Sequence, residues 1–230
     1  MNGLAPEMEA DASLSGGTRV GAGRAAERMP LVANGLKVGL LGGSFNPAHA
    51  AHRAASLLAL RRLRLDRVWW LVTPGNPLKD NRDLPPLVER VAFARRVARH
   101  PRIDVTGFEA AHKVRYSYQT VRLLVERCPQ VKFVWIMGAD NLVHFDRWQR
   151  WRAIAELMPI AVVDRMGDSL AATASPAAQA LARYRIDESD AGVLATLRPP
   201  AWVFLHGLKS PLSSTGIRAA RRFQDATFAP

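Results

Sequence analysis

Two histidines three residues apart, His49 and His52, are the first side chains in this sequence whose types and spacing could do chemistry. They open an Ala/Leu-rich stretch that follows an apolar run ending in Gly42 and Gly43. Side chains at i and i+3 lie on one face of a helix, so both imidazoles could meet one ligand. Paired glycines permit a tight turn and a close approach of backbone to that ligand, and a helix beginning there favours phosphate.

The pair alone leaves several interpretations open. Capping or packing roles are as common for two such histidines as ligand binding. A zinc site needs a third ligand, which is not apparent nearby, and HExxH is absent. Because the chain has one cysteine, Cys128, a Cys-based zinc site is excluded as well. The glycines form neither GxGxxG nor a Walker loop, so we predict no metal held by protein ligands alone.

A second group of polar residues lies near the carboxyl end of the sequence. The stretch SPLSSTGIRAARR, residues 210–222, puts Ser213, Ser214 and Thr215 before a helical pattern, with Arg218 one turn later. An ordinary helix N-cap would use the same residue types. Hydroxyls, backbone N–H groups and an arginine at a helix start also form a polyphosphate cradle.

The elements that must position these residues are short apolar runs alternating with helical patterns from residue 36 onward. The runs are continuously apolar, which is typical of strands covered on both faces. We therefore predict an α/β fold, a doubly wound Rossmann-like parallel sheet with helices on both faces, with ligands beyond the carboxyl ends of the strands. The predicted strands are residues 36–42, 67–73, 102–108, 131–137, 159–164 and 201–206, and the predicted helices are 50–63, 86–99, 117–127 and 148–157.

Length and composition suit one folded domain. The chain has 230 residues, 48% hydrophobic and 23% charged, and can bury one sizeable core. Residues 1–35 are rich in Gly, Ala and Ser without periodicity, which predicts a disordered N-terminal extension before a single domain at 36–230. The segment 166–200 is Ala-rich and gives no pattern from which elements can be placed.

Charge and the lone cysteine bear on partners and compartment. The net charge is +12, and because residues 1–35 carry a net −1, the remainder carries +13. The electrostatic field of this positive charge favours binding of phosphorylated small molecules or nucleic acid, and a solvated basic surface without a partner is the third interpretation. No aromatic RNP-like stretch supports RNA binding, so we predict no nucleic acid partner. The single thiol suits a reducing compartment, and neither a signal peptide nor an apolar span is present, which predicts a cytoplasmic protein without a membrane partner.

Together, GGSFNPAHAAH and SSTGIR resemble the two signatures, His-x-Gly-His and Ser-Ser/Thr-x-x-Arg, of a nucleotidyltransferase superfamily. Within it the chain is similar to the bacterial nicotinate mononucleotide adenylyltransferase family of NAD synthesis. Three further motifs carry the resemblance, in the order in which that family has them. They are TPGNPLK at 73–79, FEAAHKVRYSYQTVRLL at 108–124 and GADNLVHFDRWQRW at 138–151.

The resemblance implies transfer of AMP from ATP to nicotinate mononucleotide, giving deamido-NAD and pyrophosphate, with Mg²⁺ accompanying ATP. The acceptor phosphate has a second pKa of about 6 and is largely dianionic at neutral pH, so no general base is needed. The resemblance implies catalytic roles for His49, His52 and Arg218. It implies ATP contacts by Gly42, Gly43, Ser44, Phe45, His52, Asp140, Arg165, Ser213, Ser214, Thr215 and Arg218, and mononucleotide contacts by Asn46, Lys79, Ser117, Tyr118, Trp148 and Gln149.

Aromatic residues divide by position. Trp69, Trp70 and Trp135 lie inside predicted strands, which predicts core positions. The resemblance implies that Trp148 stacks on the nicotinate ring, whereas Trp151, one turn later, is expected to pack in the protein.

The sequence departs from the family pattern at two places, and other nucleotide-binding families are alternative interpretations. Ala51 replaces the glycine of His-x-Gly-His, and Val114-Arg115-Tyr116 stands where the family often has Arg-x-Gly-Pro. Asp140 also suits an ordinary helix cap.

A pantetheine-phosphate adenylyltransferase is usually shorter and lacks the Phe-x-x-Trp segment. A class I aminoacyl-tRNA synthetase has a lysine-rich second motif instead of SSTGIR, and here there is no room for an anticodon domain.

Overall fold

Six parallel strands form the centre of the computed structural model, which describes residues 25–75, 82–164 and 169–207. The strand order is β3-β2-β1-β4-β5-β6, with every neighbouring pair parallel. All six predicted strands are present, and the predicted fold class is confirmed. The strands are β1 (Lys37–Gly43), β2 (Arg67–Val72), β3 (Ile103–Thr106), β4 (Lys132–Gly138), β5 (Ile160–Val163) and β6 (Trp202–Leu205).

Helices connect these strands, and the four predicted helices are present with small shifts. The largest shift is at residues 148–157, where the helix begins at Trp151 because a 3-10 turn (Phe145–Arg147) and a left-handed Arg150 precede it. In its described part, residues 169–200, the segment that gave no pattern contains two short α-helices and 3-10 turns, among them Glu188–Thr196. The α-helices are α1 (Ala50–Arg62), α2 (Leu87–Ala98), α3 (Phe108–Ala111), α4 (Ser117–Arg127), α5 (Ala139–Leu142), α6 (Trp151–Leu157), α7 (Ser169–Thr173) and α8 (Pro176–Ala180).

Both faces of the sheet are buried. Successive residues of a strand point to opposite faces, so Leu41 and Trp70 pack in the cluster covered by α1 and α2, whereas Leu40, Trp69 and Trp135 pack in the cluster covered by α4 and α6. The three tryptophans predicted to be core residues are all buried. Two-sided burial explains why the strand sequences are continuously apolar.

Residues 25–35, which the sequence places in the predicted extension, contact the domain. Ala26 is buried, and its carbonyl accepts the N–H of Gly107 at 2.8 Å. The carbonyl of Arg28 accepts the Thr106 hydroxyl at 2.7 Å, and Met29 packs against the core. Main-chain hydrogen bonds and a few apolar contacts hold this segment, and neither leaves a periodic signal in sequence. Residues 1–24 lie outside the described residues.

Within the described ranges, the structure has no helix whose length and apolar character would let it cross a membrane.

Candidate active site

The carboxyl end of β1 lies where the strand order reverses, with β2 on one side and β4 on the other. Parallel sheets of this kind bind ligands at such a reversal. The loop after β1 carries the predicted residues Ser44 and Asn46, and it leads directly into α1. Gly42 is exposed there, and a Cβ at this position would lie 3.2 Å from the Trp135 ring, so glycine is suited to this close contact.

His49 and His52 are adjacent at the start of α1. His49 is the N-cap residue, and its backbone N–H donates to Nδ1 of His52 at 3.2 Å. The ring centroids are 3.8 Å apart with an interplanar angle of 36°. Because Nδ1 of His52 accepts this bond, the proton of the neutral ring is on Nε2, which is thereby a donor. The predicted side-by-side placement of the two histidines at the helix start is therefore observed.

Phe45, predicted to contact ATP, packs its side chain inside the protein. Its side chain is buried and stacks on Trp70 at 5.0 Å, with its centroid 4.7 Å from that of His52. Its φ of 46° lies in the left-handed region, so the loop turns sharply there. The Phe45 ring packs between His52 and Trp70, so its faces are in contact with protein side chains. Any contact of Phe45 with ATP would therefore come from its backbone.

Arg90, on α2, joins the loop after β1 to the loop after β2. It is buried, and its guanidinium donates to the carbonyls of Ser44 and Thr73 at 2.8 Å each. It also donates to the carbonyls of Pro85 at 2.9 Å and Pro74 at 3.3 Å. Burial lowers the pKa of Arg90 below its usual value, but an arginine so far above neutrality stays charged.

Arg90 was not among the residues predicted from the sequence, although a signal was present. It lies four and eight residues before Ala94 and Ala98, which are both buried on the apolar face of α2. An arginine at a core-facing position of a helix seldom lies there without hydrogen-bond partners. Its position in the apolar stripe was therefore the observation that could have identified it.

A second cluster brings the start of α4 against the segment before α6. The guanidinium of Arg150 lies 5.1 Å from the ring centroid of Tyr118, and the ring of Trp148 meets those of Phe145 and Trp135 edge-on, at 5.4 and 6.3 Å. The half-buried Trp148 thus adjoins the same Trp135 that contacts Gly42. Of the residues predicted to bind the mononucleotide, Tyr118 and Trp148 make these contacts, and Ser117 and Gln149 are next to them along the chain.

A buried carboxyl group supports α4 from beneath. Glu109, on α3, accepts the hydroxyl of Thr120 at 2.5 Å, and both side chains are buried. Burial raises the pKa of Glu109 from 4.5 to about 7, and the hydrogen bond from Thr120 opposes that rise. The bond joins α3 to α4 three residues after Ser117. This glutamate lies within one of the motifs that carry the resemblance, but the sequence predicted no role for it.

The remaining predicted residues divide into those at the site and those outside the described ranges. Asp140 is exposed in the first turn of α5, directly after β4 and beside the end of β1. Ala51, in place of the signature glycine, is buried in the first turn of α1, and Trp151 is buried as expected. The predictions that lie outside the described residues are Lys79, Arg165, Ser213, Ser214, Thr215 and Arg218.

Comparison with known proteins identifies the family. The cytidylyltransferase-like family model matches residues 40–220. The chain is 60% identical, over 80% of its length and 95% of the relative, to "Probable nicotinate-nucleotide adenylyltransferase" of a Bradyrhizobium species. It is 61% identical, over 80% of its length and 99% of the relative, to the protein of the same name in Methylorubrum extorquens.

A solved structure shares the fold. It is the nicotinic acid mononucleotide adenylyltransferase of Plasmodium falciparum, complexed with APC, at a TM-score of 0.57 and 15% identity. The match covers 80% of this chain and 83% of that one. With its parallel sheet, its histidine pair at the strand reversal and these relatives, the chain belongs to the cytidylyltransferase-like family and, within it, to the nicotinate-nucleotide adenylyltransferases.

Proposed function

We infer that this protein transfers AMP from ATP to nicotinate mononucleotide, forming deamido-NAD and pyrophosphate. The observation that carries the inference is the pair His49 and His52 at the start of α1, in a chain 60% identical to an enzyme named for this activity. The pair lies at the sheet position where a nucleotide is expected. The roles of individual residues below are part of the proposal.

The reaction needs alignment and positive charge more than it needs a base. The attacking phosphate is already ionised at neutral pH, since its second pKa is about 6. Two anionic reactants must nevertheless be held in line while negative charge builds up around the α-phosphorus. Donors fixed before the reaction lower that barrier without reorganisation.

His52 supplies one such donor in this proposal. The hydrogen bond from the backbone of His49 fixes the tautomer of His52, and the Phe45 ring limits its rotation. The Nε2–H group is then set to donate to a phosphate oxygen of ATP. His49 is the N-cap residue of α1, where the partial positive charge of a helix N-terminus favours an anion.

The mononucleotide is assigned to the cluster at the start of α4. Trp148 offers an aromatic face to the pyridine ring, and its edge-on contacts with Phe145 and Trp135 hold it in place. Ser117 and Tyr118 begin α4, where backbone N–H groups lack intrahelical acceptors and can meet a carboxylate.

The donor set suits a magnesium ion that enters with ATP. The part of the chain that the structure describes holds no group of three or more His, Cys, Asp or Glu side chains able to bind a metal. Mg²⁺ commonly takes one or two carboxylates together with substrate phosphates. Asp140, exposed at the end of β4, is the carboxylate we propose on the protein side. When bound, the ion neutralises charge on the departing pyrophosphate.

The test is an assay of purified protein with Mg²⁺, ATP and a panel of acceptors. The panel contains nicotinate mononucleotide, nicotinamide mononucleotide and phosphopantetheine, with pyrophosphate release measured and products identified by mass. Deamido-NAD should form fastest. Transfer to phosphopantetheine at a higher kcat/KM, or release of pyrophosphate with no adenylylated product, would contradict the proposal.

A further inference from the structure

Arg90 carries a buried charge whose hydrogen bonds, within the described residues, all lead to main-chain carbonyls. Four hydrogen bonds lead from its guanidinium to the carbonyls of Ser44, Thr73, Pro74 and Pro85. Among the ion pairs of the described residues, none involves Arg90, and desolvation alone accounts for its lowered pKa. A buried charge is costly unless it is hydrogen-bonded, so these bonds offset the cost of burying the guanidinium.

Three of the four carbonyls belong to two segments that are predicted to contact the substrates. Ser44 directly follows β1, in the loop proposed to bind ATP, whereas Thr73 and Pro74 directly follow β2, at the start of the motif TPGNPLK. One guanidinium nitrogen, Nη1, donates to both Ser44 and Thr73. The loops also share one direct bond, from the N–H of Thr73 to the carbonyl of Gly43 at 3.0 Å. Arg90 is therefore a second connection between the two loops, in addition to this direct bond.

We propose that Arg90 is a positioning residue for adenylyl transfer, which fixes the loop after β1 relative to the loop after β2 and so sets the alignment of the two substrates. The proposal rests on the proposed function, because the predicted contacts of Ser44 with ATP and of Asn46 with the mononucleotide lie in the loop after β1, and the predicted mononucleotide contact Lys79 ends the motif that begins at Thr73. Misplacing bound reactants by about 1 Å can cost on the order of 100-fold in rate. The effect should accordingly fall on kcat more than on either KM.

A matched control exists on the same helix. Arg95 also donates to main-chain carbonyls, to Val105 at 3.3 and 3.1 Å and to Ala25 at 3.4 Å. None of these carbonyls belongs to the two loops. Substitution of Arg95 therefore measures how much kcat changes when an arginine on α2 loses its hydrogen bonds to main-chain carbonyls outside the site.

The first experiment compares Arg90→Lys with Arg95→Lys. Lysine keeps the charge, but its single ammonium cannot span four carbonyls in the planar arrangement of a guanidinium. We expect Arg90→Lys to lower kcat about tenfold or more, with KM for either substrate changed less, and Arg90→Met to lower kcat about 100-fold. Arg95→Lys should stay within about threefold of the wild type. All rates are taken below the Tm of each variant.

The second experiment does not depend on the reaction. Hydrogen exchange is measured for peptides covering residues 42–47 and 70–75, and faster exchange in both is expected for Arg90→Lys but not for Arg95→Lys. If exchange in both peptides is the same in Arg90→Lys as in the wild type, the proposal is wrong. This result does not depend on which substrates the wild type uses. Loosened loops with kcat within about threefold of the wild type would overturn it as well. If Arg90→Met does not fold, the two lysine variants carry both tests.

Discussion

The backbone N–H of His49 donates to Nδ1 of His52, so that one histidine fixes which nitrogen of the other carries the proton. The same bond satisfies one of the N–H groups that every helix start leaves open. The feature that begins α1 thus also prepares the site, because a His52 ring fixed by its Nδ1 presents Nε2–H as a donor.

Replacement of His52 by asparagine separates these two roles. The Oδ1 atom of asparagine can accept the N–H of His49, but no atom replaces Nε2, so Tm should change little while kcat falls about 100-fold. KM for either substrate should rise much less, since the lost contact strengthens in the transition state. His100→Asn is the control, because His100 Nδ1 accepts the backbone N–H of Arg102 at the same 3.2 Å outside the site. An effect on KM alone would exclude the proposed role.

Acceptor choice tests the start of α4. We expect kcat/KM to be at least about 100-fold higher for nicotinate mononucleotide than for nicotinamide mononucleotide, because a carboxylate suits N–H donors and an amide turns an NH₂ group toward one of them. Both acceptors are measured at the same ATP and Mg²⁺ concentrations. Comparable values would mean that the pocket accepts both and that paired N–H donors do not select the acceptor.

Glu109 should make stability depend on pH. Its pKa of about 7 exceeds the unfolded value of 4.5, so its stabilising contribution is full below 4.5 and is lost as pH rises to about 7. Glu109→Gln keeps an acceptor for Thr120 and does not titrate. The variant should therefore gain stability relative to the wild type between about pH 5 and 8, by at most about 3 kcal/mol.

Denaturant unfolding of both proteins across this pH range measures the difference. Glu126→Gln is the control, since that carboxylate is exposed on α4, the helix of Thr120, with an arginine four residues away. A wild-type stability that follows Glu109→Gln in parallel at every pH would show that Glu109 titrates normally.

Two truncations test the segment at residues 25–34. A chain lacking residues 1–34 should have a Tm about 5 °C or more below that of a chain lacking residues 1–24, because it loses buried Ala26 and the bonds to Gly107 and Thr106. Differential scanning calorimetry makes the comparison. Since both truncated chains keep the loops after β1 and β2, their kcat values should agree at temperatures well below either Tm. Equal Tm values would show that these contacts add nothing to stability.

Sequence was most informative where burial is continuous along the chain. Runs such as that around Trp69 and Trp70 are apolar because both faces of the sheet are covered, so strands and fold class could be predicted. The histidine pair could be predicted because both residues share one helical turn. Residues 25–35 could not, because the hydrogen bonds that hold them end on main-chain carbonyls, which every residue has. Arg90 was missed although its place on the apolar face of α2 offered a signal. The buried ring of Phe45 was missed because a single aromatic residue in a loop has no periodicity.

The bonds from Arg95 to the carbonyl of Val105 affect whether a strand of another molecule can pair with the edge of the sheet. Strand β3 is an edge of the sheet, and an open edge carbonyl is a place where a strand of another molecule can add. The other edge, β6, is met by the main chain at Arg185 and Ile186. Both edge strands have four residues, and each is met at these points by the chain's own groups. For a strand of another molecule to pair at these points, these contacts would have to break first. We therefore expect aggregation by strand pairing only from partially unfolded protein.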